Sequence, residues 1–93
     1  MPIQSFPKDP QAILDYTFDW SYWLAEGETI DSYILTVPAG VTLDSEQFTA
    51  TTVTAWISGG TDGVSYTVAC KIVTDNATPR TDERSIILIV SNR

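Results

Sequence analysis

The sequence predicts an all-β protein folded as an antiparallel β-sandwich of six to seven strands, with a small β-barrel as the alternative. Three observations carry this prediction. Apolar and polar residues alternate with the period of a strand, β-branched residues are concentrated in these segments, and each segment ends in turn-forming residues. No segment shows a helical period of useful length. The 93 residues fit a single domain, which we place at residues 11–93.

Residues 1–10 read MPIQSFPKDP, in which three prolines fix the backbone φ angle and remove amide donors. This composition predicts an extended N-terminal arm outside the domain. Ile3 and Phe6 give the arm two apolar points that can lie on a neighbouring surface. The alternative is a frayed terminus.

The first predicted strand runs from Ala12 to Trp20, where every second residue is apolar. Trp20 continues this apolar face and is assigned to the core. The alternation stops after Trp20. We therefore predict a short irregular or single-turn connection that carries Tyr22 and Trp23 and is closed by Gly27.

The middle of the chain alternates between strand and turn signals. The segment ETIDSYILTV predicts a strand that ends at the turn residues Pro38-Ala39-Gly40. A short strand with Val41 and Leu43 on one face is followed by a predicted polar turn over residues 44–46. The segment TATTVTAWIS is rich in β-branched residues, and Trp56 lies on its threonine face, which predicts exposure to solvent.

The last third of the chain predicts two more strands. The glycine-rich stretch SGGTDG predicts a hairpin leading into a strand over residues 66–73. A polar loop follows. The closing stretch RSIILIV is apolar on both faces, which predicts a central strand or a strand whose second face contacts another subunit.

Catalytic and metal-binding patterns are missing from the sequence. Without histidine, neither a Cys–His pair nor a Ser–His–Asp triad can be built. The single cysteine, Cys70, shares the parity of apolar neighbours and is expected to be a small buried residue. Calcium binding by Asp75, Asn76 and Asp82 is one hypothesis, and solvated turn residues are the preferred interpretation. We therefore expect no enzyme activity, no metal and no cofactor.

The charge of the chain excludes several classes of partner. Five basic and twelve acidic residues give a net charge of −7. Nucleic acids and anionic membranes bind to basic surfaces, so neither is an expected partner. No apolar stretch approaches the roughly 20 residues that span a bilayer, and no secretion signal is expected. The acidity also repels copies of the chain from one another.

Tyr22, Trp23 and Trp56 are aromatic residues without a clear place in the core. Large amphipathic rings dominate protein interfaces and also form platforms for sugars. We predict partner binding at Trp56. For Trp23 we favour a role in closing the open end of the sandwich, and an interface is the alternative.

Four stretches follow one another in the chain: DYTFDWSYWLAEGETI, LTVPAGVTLDS, VTAWISGGTDGVSYTVACKI and RTDERSIILIV. In this order they resemble a family of small tailed-phage virion structural proteins that are described as fiber-tail adaptors. The resemblance extends from about Asp9 to Arg93, which is nearly the whole chain.

The resemblance implies an Ig-like domain that links tail or neck to fiber components through protein–protein contacts, in multiple copies arranged as a ring. It implies a virion protein that is assembled in the bacterial host cytoplasm, without enzyme activity or cofactor. Ile3, Phe6, Tyr22, Trp23 and Trp56 are then the expected contact residues. The alternatives are a capsid decoration protein, or a carbohydrate-binding or adhesion module on the same fold.

Overall fold

The computed structural model describes residues 4–91, which form two packed β-sheets. The strand order is β1-β7-β6-β3 in the four-stranded sheet and β2-β5-β4 in the three-stranded sheet. Within the described range no helix has the length and hydropathy needed to cross a bilayer. The predicted all-β sandwich is confirmed. The seven strands are β1 (Gln4–Lys8), β2 (Leu14–Asp19), β3 (Ile30–Thr36), β4 (Val41–Phe48), β5 (Thr52–Gly59), β6 (Ser65–Thr74) and β7 (Thr81–Val90).

The inner faces of the two sheets form the hydrophobic core. Alternate residues of β5, β6 and β7 are buried, as the period of two predicts, and β7 is central between β1 and β6. Trp20 is the largest fully buried side chain, which confirms its assignment to the core. Cys70 is also buried, and burial raises the pKa of its thiol to about 12. Cys70 is therefore a packing residue.

The strand order supports the Ig-like prediction. β2 to β7 are divided between the sheets as strands B to G of constant-type immunoglobulin domains are. Tyr66, near the start of β6, accepts a hydrogen bond from the Thr61 amide at 3.0 Å. A tyrosine at this corner, bonded to the backbone a few residues upstream, is a feature of immunoglobulin sandwiches.

Residues 4–8 form a strand of the sandwich. β1 runs parallel to β7 at the edge of the four-stranded sheet, with Phe6 opposite Leu88. Pro7 lacks a ladder donor, but an edge strand tolerates this. The segment is therefore extended, as predicted, but it is paired within its own chain, whereas the sequence placed it in an arm outside the domain. Ile3 lies outside the described residues.

Lys8 is fully buried at the end of β1. Its ammonium group donates hydrogen bonds to the carbonyl oxygens of Gly59 at 2.6 Å and Asp9 at 3.0 Å. Burial lowers the pKa of Lys8 from its ordinary value of 10.5, and the nearby carboxylates of Asp9 and Asp44 oppose this shift. The side chain therefore ties β1 to β5 in the opposite sheet.

Two connections differ from their predictions. The SGGTDG stretch joins β5 to β6, which lie in different sheets, so it is a crossover and the predicted hairpin is wrong. Turn residues predict that the chain reverses, but not whether the flanking strands pair. The predicted polar turn over residues 44–46 is instead part of β4, which has a bulge between Leu43 and Ser45. A bulge admits one extra residue and so breaks the alternation.

Candidate functional site

A single turn of chain at the end of β2 presents Tyr22 to solvent. The Trp23 and Leu24 amides both donate to the Trp20 carbonyl, at 2.9 and 3.0 Å. The Asp19 carboxylate accepts from the Ser21 amide at 2.8 Å, and this bond lowers the pKa of Asp19. These bonds fix the turn, and the Tyr22 side chain on it is 99% exposed. The predicted single-turn connection is confirmed.

The turn packs on Trp20, whose indole contacts three other side chains. Its Nε1–H donates to Asp82 Oδ2 at 2.9 Å, so the buried polar atom is satisfied. The Arg84 guanidinium lies over the indole at 5.1 Å from the ring centroid. Phe18 stacks beside it with the centroids 6.1 Å apart. The base of the turn is therefore rigid.

A buried carboxylate joins the β2–β3 connection to the β6–β7 loop. Glu28 accepts hydrogen bonds from Arg80 Nε at 3.0 Å and Asn76 Nδ2 at 2.6 Å, and Arg80 Nη2 forms a further bond with its other oxygen. The Ala25 amide donates to the same carboxylate at 2.9 Å. The Arg80 bonds are the main reason that the pKa of Glu28 falls from 4.5 to about 2. We call Glu28, Asn76 and Arg80 the Glu28 clamp.

A second set of bonds ties the same two loops. Asp75 accepts from the Thr29 amide at 2.9 Å and from the Thr29 hydroxyl at 2.7 Å, which lowers the pKa of Asp75. The β6–β7 loop is closed by the Thr74 amide bonded to the Arg80 carbonyl and by the Arg80 amide bonded to Thr74 Oγ1, each at 2.9 Å. The long polar loop is therefore an ordered part of this end of the sandwich.

Trp23 lies between the Glu28 clamp and the core. Its ring is half-buried and packs against the core cluster, and the Arg80 guanidinium covers it at 4.2 Å from the centroid. Arg80 Nη2 also donates to the Trp23 carbonyl at 3.3 Å. The placement matches the favoured interpretation that Trp23 closes the end of the sandwich, and it leaves Tyr22 as the outward-facing ring.

Trp56 lies on a different surface. It is half-buried on the outer face of the three-stranded sheet, between Asp15 of β2 and Ser45 of β4. Asp15, which is opposite Trp56, is four residues before Asp19 on β2, or about 13 Å along the strand. Tyr22 lies beyond Asp19, so it is still further from Trp56. Tyr22, Trp23 and Trp56 therefore do not form one flat platform.

Phe6 is held inside the sandwich. Its ring is half-buried and lies 5.5 Å from the Tyr16 ring, measured between centroids. The Tyr16 hydroxyl is buried without a hydrogen-bond partner among the described residues. Phe6 thus anchors β1 to the opposite sheet, and the predicted contact at Ile3 lies outside residues 4–91.

The podophage GP4 fiber-tail adaptor protein gp77 family matches residues 8–89. The chain belongs to this family. The family resemblance predicted from the four sequence stretches is therefore confirmed, and the family's name describes a structural adaptor of a phage particle. No curated protein sequence matches the chain.

Sequence reasoning missed the two residues that organise this end of the adaptor, Glu28 and Arg80. Glu28 shares its parity with the buried Ile30, and that position was the available signal. Its partner Arg80 is 52 positions further along the chain, and no local pattern connects them. Lys8 was missed in the same way, although it shares the parity of Phe6.

The three residues of the calcium hypothesis form hydrogen bonds with other residues of the chain. Asp75 binds Thr29, Asn76 binds Glu28, and Asp82 accepts from the Trp20 indole. Among the described residues, no group of three or more His, Cys, Asp or Glu side chains is placed to hold a metal ion. These side chains instead join loops of the adaptor.

Proposed function

We propose that this adaptor links tail or neck to fiber components of the phage particle through protein–protein contacts. Several copies would act together in a ring, and assembly would take place in the host cytoplasm. Family membership supports the adaptor role. The contact surface is proposed from the placement of the aromatic residues.

The observation that carries this proposal is Tyr22, fully exposed on an ordered turn. A tyrosine ring contributes a large contact area and has only two side-chain torsions to fix, so it is favoured at binding hot spots. Trp20 and Trp23 hold the turn from beneath. Because the turn is ordered before binding, little conformational entropy would be lost when a partner covers Tyr22.

Trp56 is the second proposed contact. Its strand neighbours Asp15 and Ser45 surround the indole with polar groups, which suits a surface that is wet in the free protein. Tyr22 and Trp56 lie on different surfaces, as a protein that bridges two components requires. Trp23 and Phe6 would act indirectly, by holding the turn and β1 in place.

The test is complementation of a phage that lacks this gene with variants of the adaptor. We expect Tyr22→Ala to fold normally and to produce particles that have lost the adaptor or the fibers, measured by mass spectrometry of purified particles. Tyr22→Phe keeps the ring and should restore assembly. Ile13→Ala removes an apolar side chain that is 63% exposed elsewhere, and it serves as the matched control.

The same assay separates the two proposed surfaces. Trp56→Ala should remove a different component of the particle from the one lost with Tyr22→Ala. Normal particles from both variants would contradict the contact map. A cryo-EM reconstruction that finds the chain spread over the capsid lattice, and not at the tail or neck, would instead indicate a decoration protein.

A further inference from the structure

The outer faces of the two sheets differ in charge. The outward-facing and bulge positions of β2, β4 and β5 contain three carboxylates and no lysine or arginine: Asp15, Asp19 and Asp44. The corresponding positions of β1, β3, β6 and β7 contain one basic residue, Lys71, and two acidic residues: Glu83, which is opposite Lys71 in register, and Asp31 at the bulge of β3. The outer face of the four-stranded sheet is therefore the less acidic of the two in a chain of net charge −7, and its central strands β6 and β7 carry a balanced pair of charges.

The outer face of the four-stranded sheet is also apolar. Ile34 is 63% and Ile89 46% exposed on it, and Ile87 is half-buried. The small residues Ala69 and Ser85, which are opposite each other in register, lie near its centre and leave it flat. We define Ile34, Lys71, Glu83, Ile87 and Ile89 as the isoleucine face.

Lys71 and Glu83 make no ion pair within residues 4–91, although they are cross-strand neighbours. Lys8 is buried, and Arg80 and Arg84 are engaged with Glu28 and Asp82. Within the described chain Lys71 is therefore the exposed cation that is available to a partner.

We propose that the isoleucine face binds the isoleucine face of a second copy of this chain. Like charge opposes self-association over the rest of the surface, so two copies can approach most closely where the opposite charges of Lys71 and Glu83 meet. A two-fold axis that runs between β6 and β7, parallel to both, sets Lys71 of each copy against Glu83 of the other. Such a contact is self-complementary and closes at two copies, so a ring of several copies would need a second contact between the pairs.

The size of the face indicates how strong this contact is. β6 and β7 contain ten residues each, so the face measures roughly 33 Å by 14 Å at about 3.3 Å per residue and about 4.8 Å between strands. Its flat area of about 460 Å² is below the roughly 800 Å² per partner of a standard interface. The isolated protein should therefore dimerise weakly, and the high local concentration in a particle would favour the pair.

Sedimentation velocity of the purified chain, up to millimolar concentration, tests this inference with charge reversals. Lys71→Glu and Glu83→Lys should each lower the association constant about tenfold, because each substitution removes two pairs and adds repulsion. The double variant K71E/E83K should restore association. An equimolar mixture of the two single variants should also associate as strongly as the wild type, since their faces are again complementary.

Ile34→Thr tests the apolar part of the face and should lower the association constant about three- to tenfold. Ile13→Thr is the matched control, because Ile13 and Ile34 are both 63% exposed. A wild type that stays monomeric at every concentration, or a mixture as weak as its two components, would overturn the inference.

The inference rests on the proposed function only in taking several copies to act together. The two can fail separately. A monomeric chain whose Tyr22→Ala variant still loses the fibers would refute the isoleucine-face contact and leave the adaptor role in place.

Discussion

The two ends of the sandwich are closed by different kinds of contact. At the end that presents Tyr22, side chains from two loops meet in the Glu28 clamp and cover Trp23. At the opposite end, backbone approaches backbone, with the Gly60 amide bonded to the Gly40 carbonyl at 3.0 Å. We refer to these as the clamped end and the glycine end.

The difference shows how a small domain can hold an exposed ring in a fixed position. At the glycine end, a methyl group added at Gly40 or Gly60 would meet the Tyr66 or Val90 side chain at 2.7 Å, because these side chains pack directly against the glycine backbone. At the clamped end, the polar and aromatic side chains beneath the turn supply the rigidity. The surface above them is left for Tyr22.

The largest expected effect comes from removing the base of the clamped end. Trp20→Ala should lower the free energy of unfolding by about 3–5 kcal/mol, because it empties a fully buried site and leaves Asp82 without its indole donor. Urea denaturation measures this change. Trp56→Ala is the control and should cost much less, since Trp56 is half-buried on an outer face. Equal losses in both variants would contradict the burial of Trp20.

A pair of glycine substitutions compares the two ends directly. Gly60→Ala should cost about 2–5 kcal/mol, because the φ of +103° strains an alanine and its methyl group would meet Val90 at 2.7 Å. Gly27→Ala at the clamped end, with φ of +77° and open space around it, should cost only about 1–2 kcal/mol. Thermal unfolding of both variants checks the order, and a reversed order would refute the close packing at the glycine end.

Acid should weaken the clamped end through Glu28. Its pKa is about 2 in the folded protein against an ordinary 4.5, so the stabilisation is complete above pH 4.5 and is lost as the pH falls towards 2. Glu28→Gln should therefore unfold at a lower temperature than the wild type at pH 7, and the two should converge near pH 2. Melting temperatures measured across this range test the prediction. A difference that is independent of pH would show that the charge of Glu28 is unimportant.

The smallest effects separate two tyrosines, one at each end. Tyr66→Phe removes the acceptor of the Thr61 amide and should cost about 1 kcal/mol. Tyr22→Phe should leave the free energy of unfolding unchanged within about 0.5 kcal/mol, because the hydroxyl is in solvent. Urea denaturation of the two variants measures both values. A loss at Tyr22 that matches the loss at Tyr66 would mean that the exposed ring supports the fold.

Periodicity alone placed much of this molecule correctly. The alternation that ends at Trp20 put that residue in the core, and the threonine face of its strand put Trp56 outside. The break after Trp20 gave the turn that carries Tyr22. These features are determined by residues close together in the sequence, and the local pattern of apolar side chains is enough to predict them.

Contacts between distant segments could not be predicted in the same way. The residues of β1 looked like a free arm because their partner strand is at the other end of the sequence. Glu28 and Arg80 each resembled an ordinary surface charge until the fold brought them together. As a result, deletion of residues 1–9 is a poor test of partner binding, since it would also remove β1 from the sheet.

The pairing of β1 with β7 also leads to a prediction about the order of folding. β1 precedes its partner strand β7 by most of the described residues, so it cannot pair until β7 is available. Contacts between such distant segments slow folding, and β-sandwiches commonly fold in milliseconds to seconds. We expect the amides of β1 to be the last protected in pulsed hydrogen exchange during refolding. The final step of maturation for this adaptor would then be the docking of its own N-terminal strand, with Phe6 and Lys8 leaving solvent together.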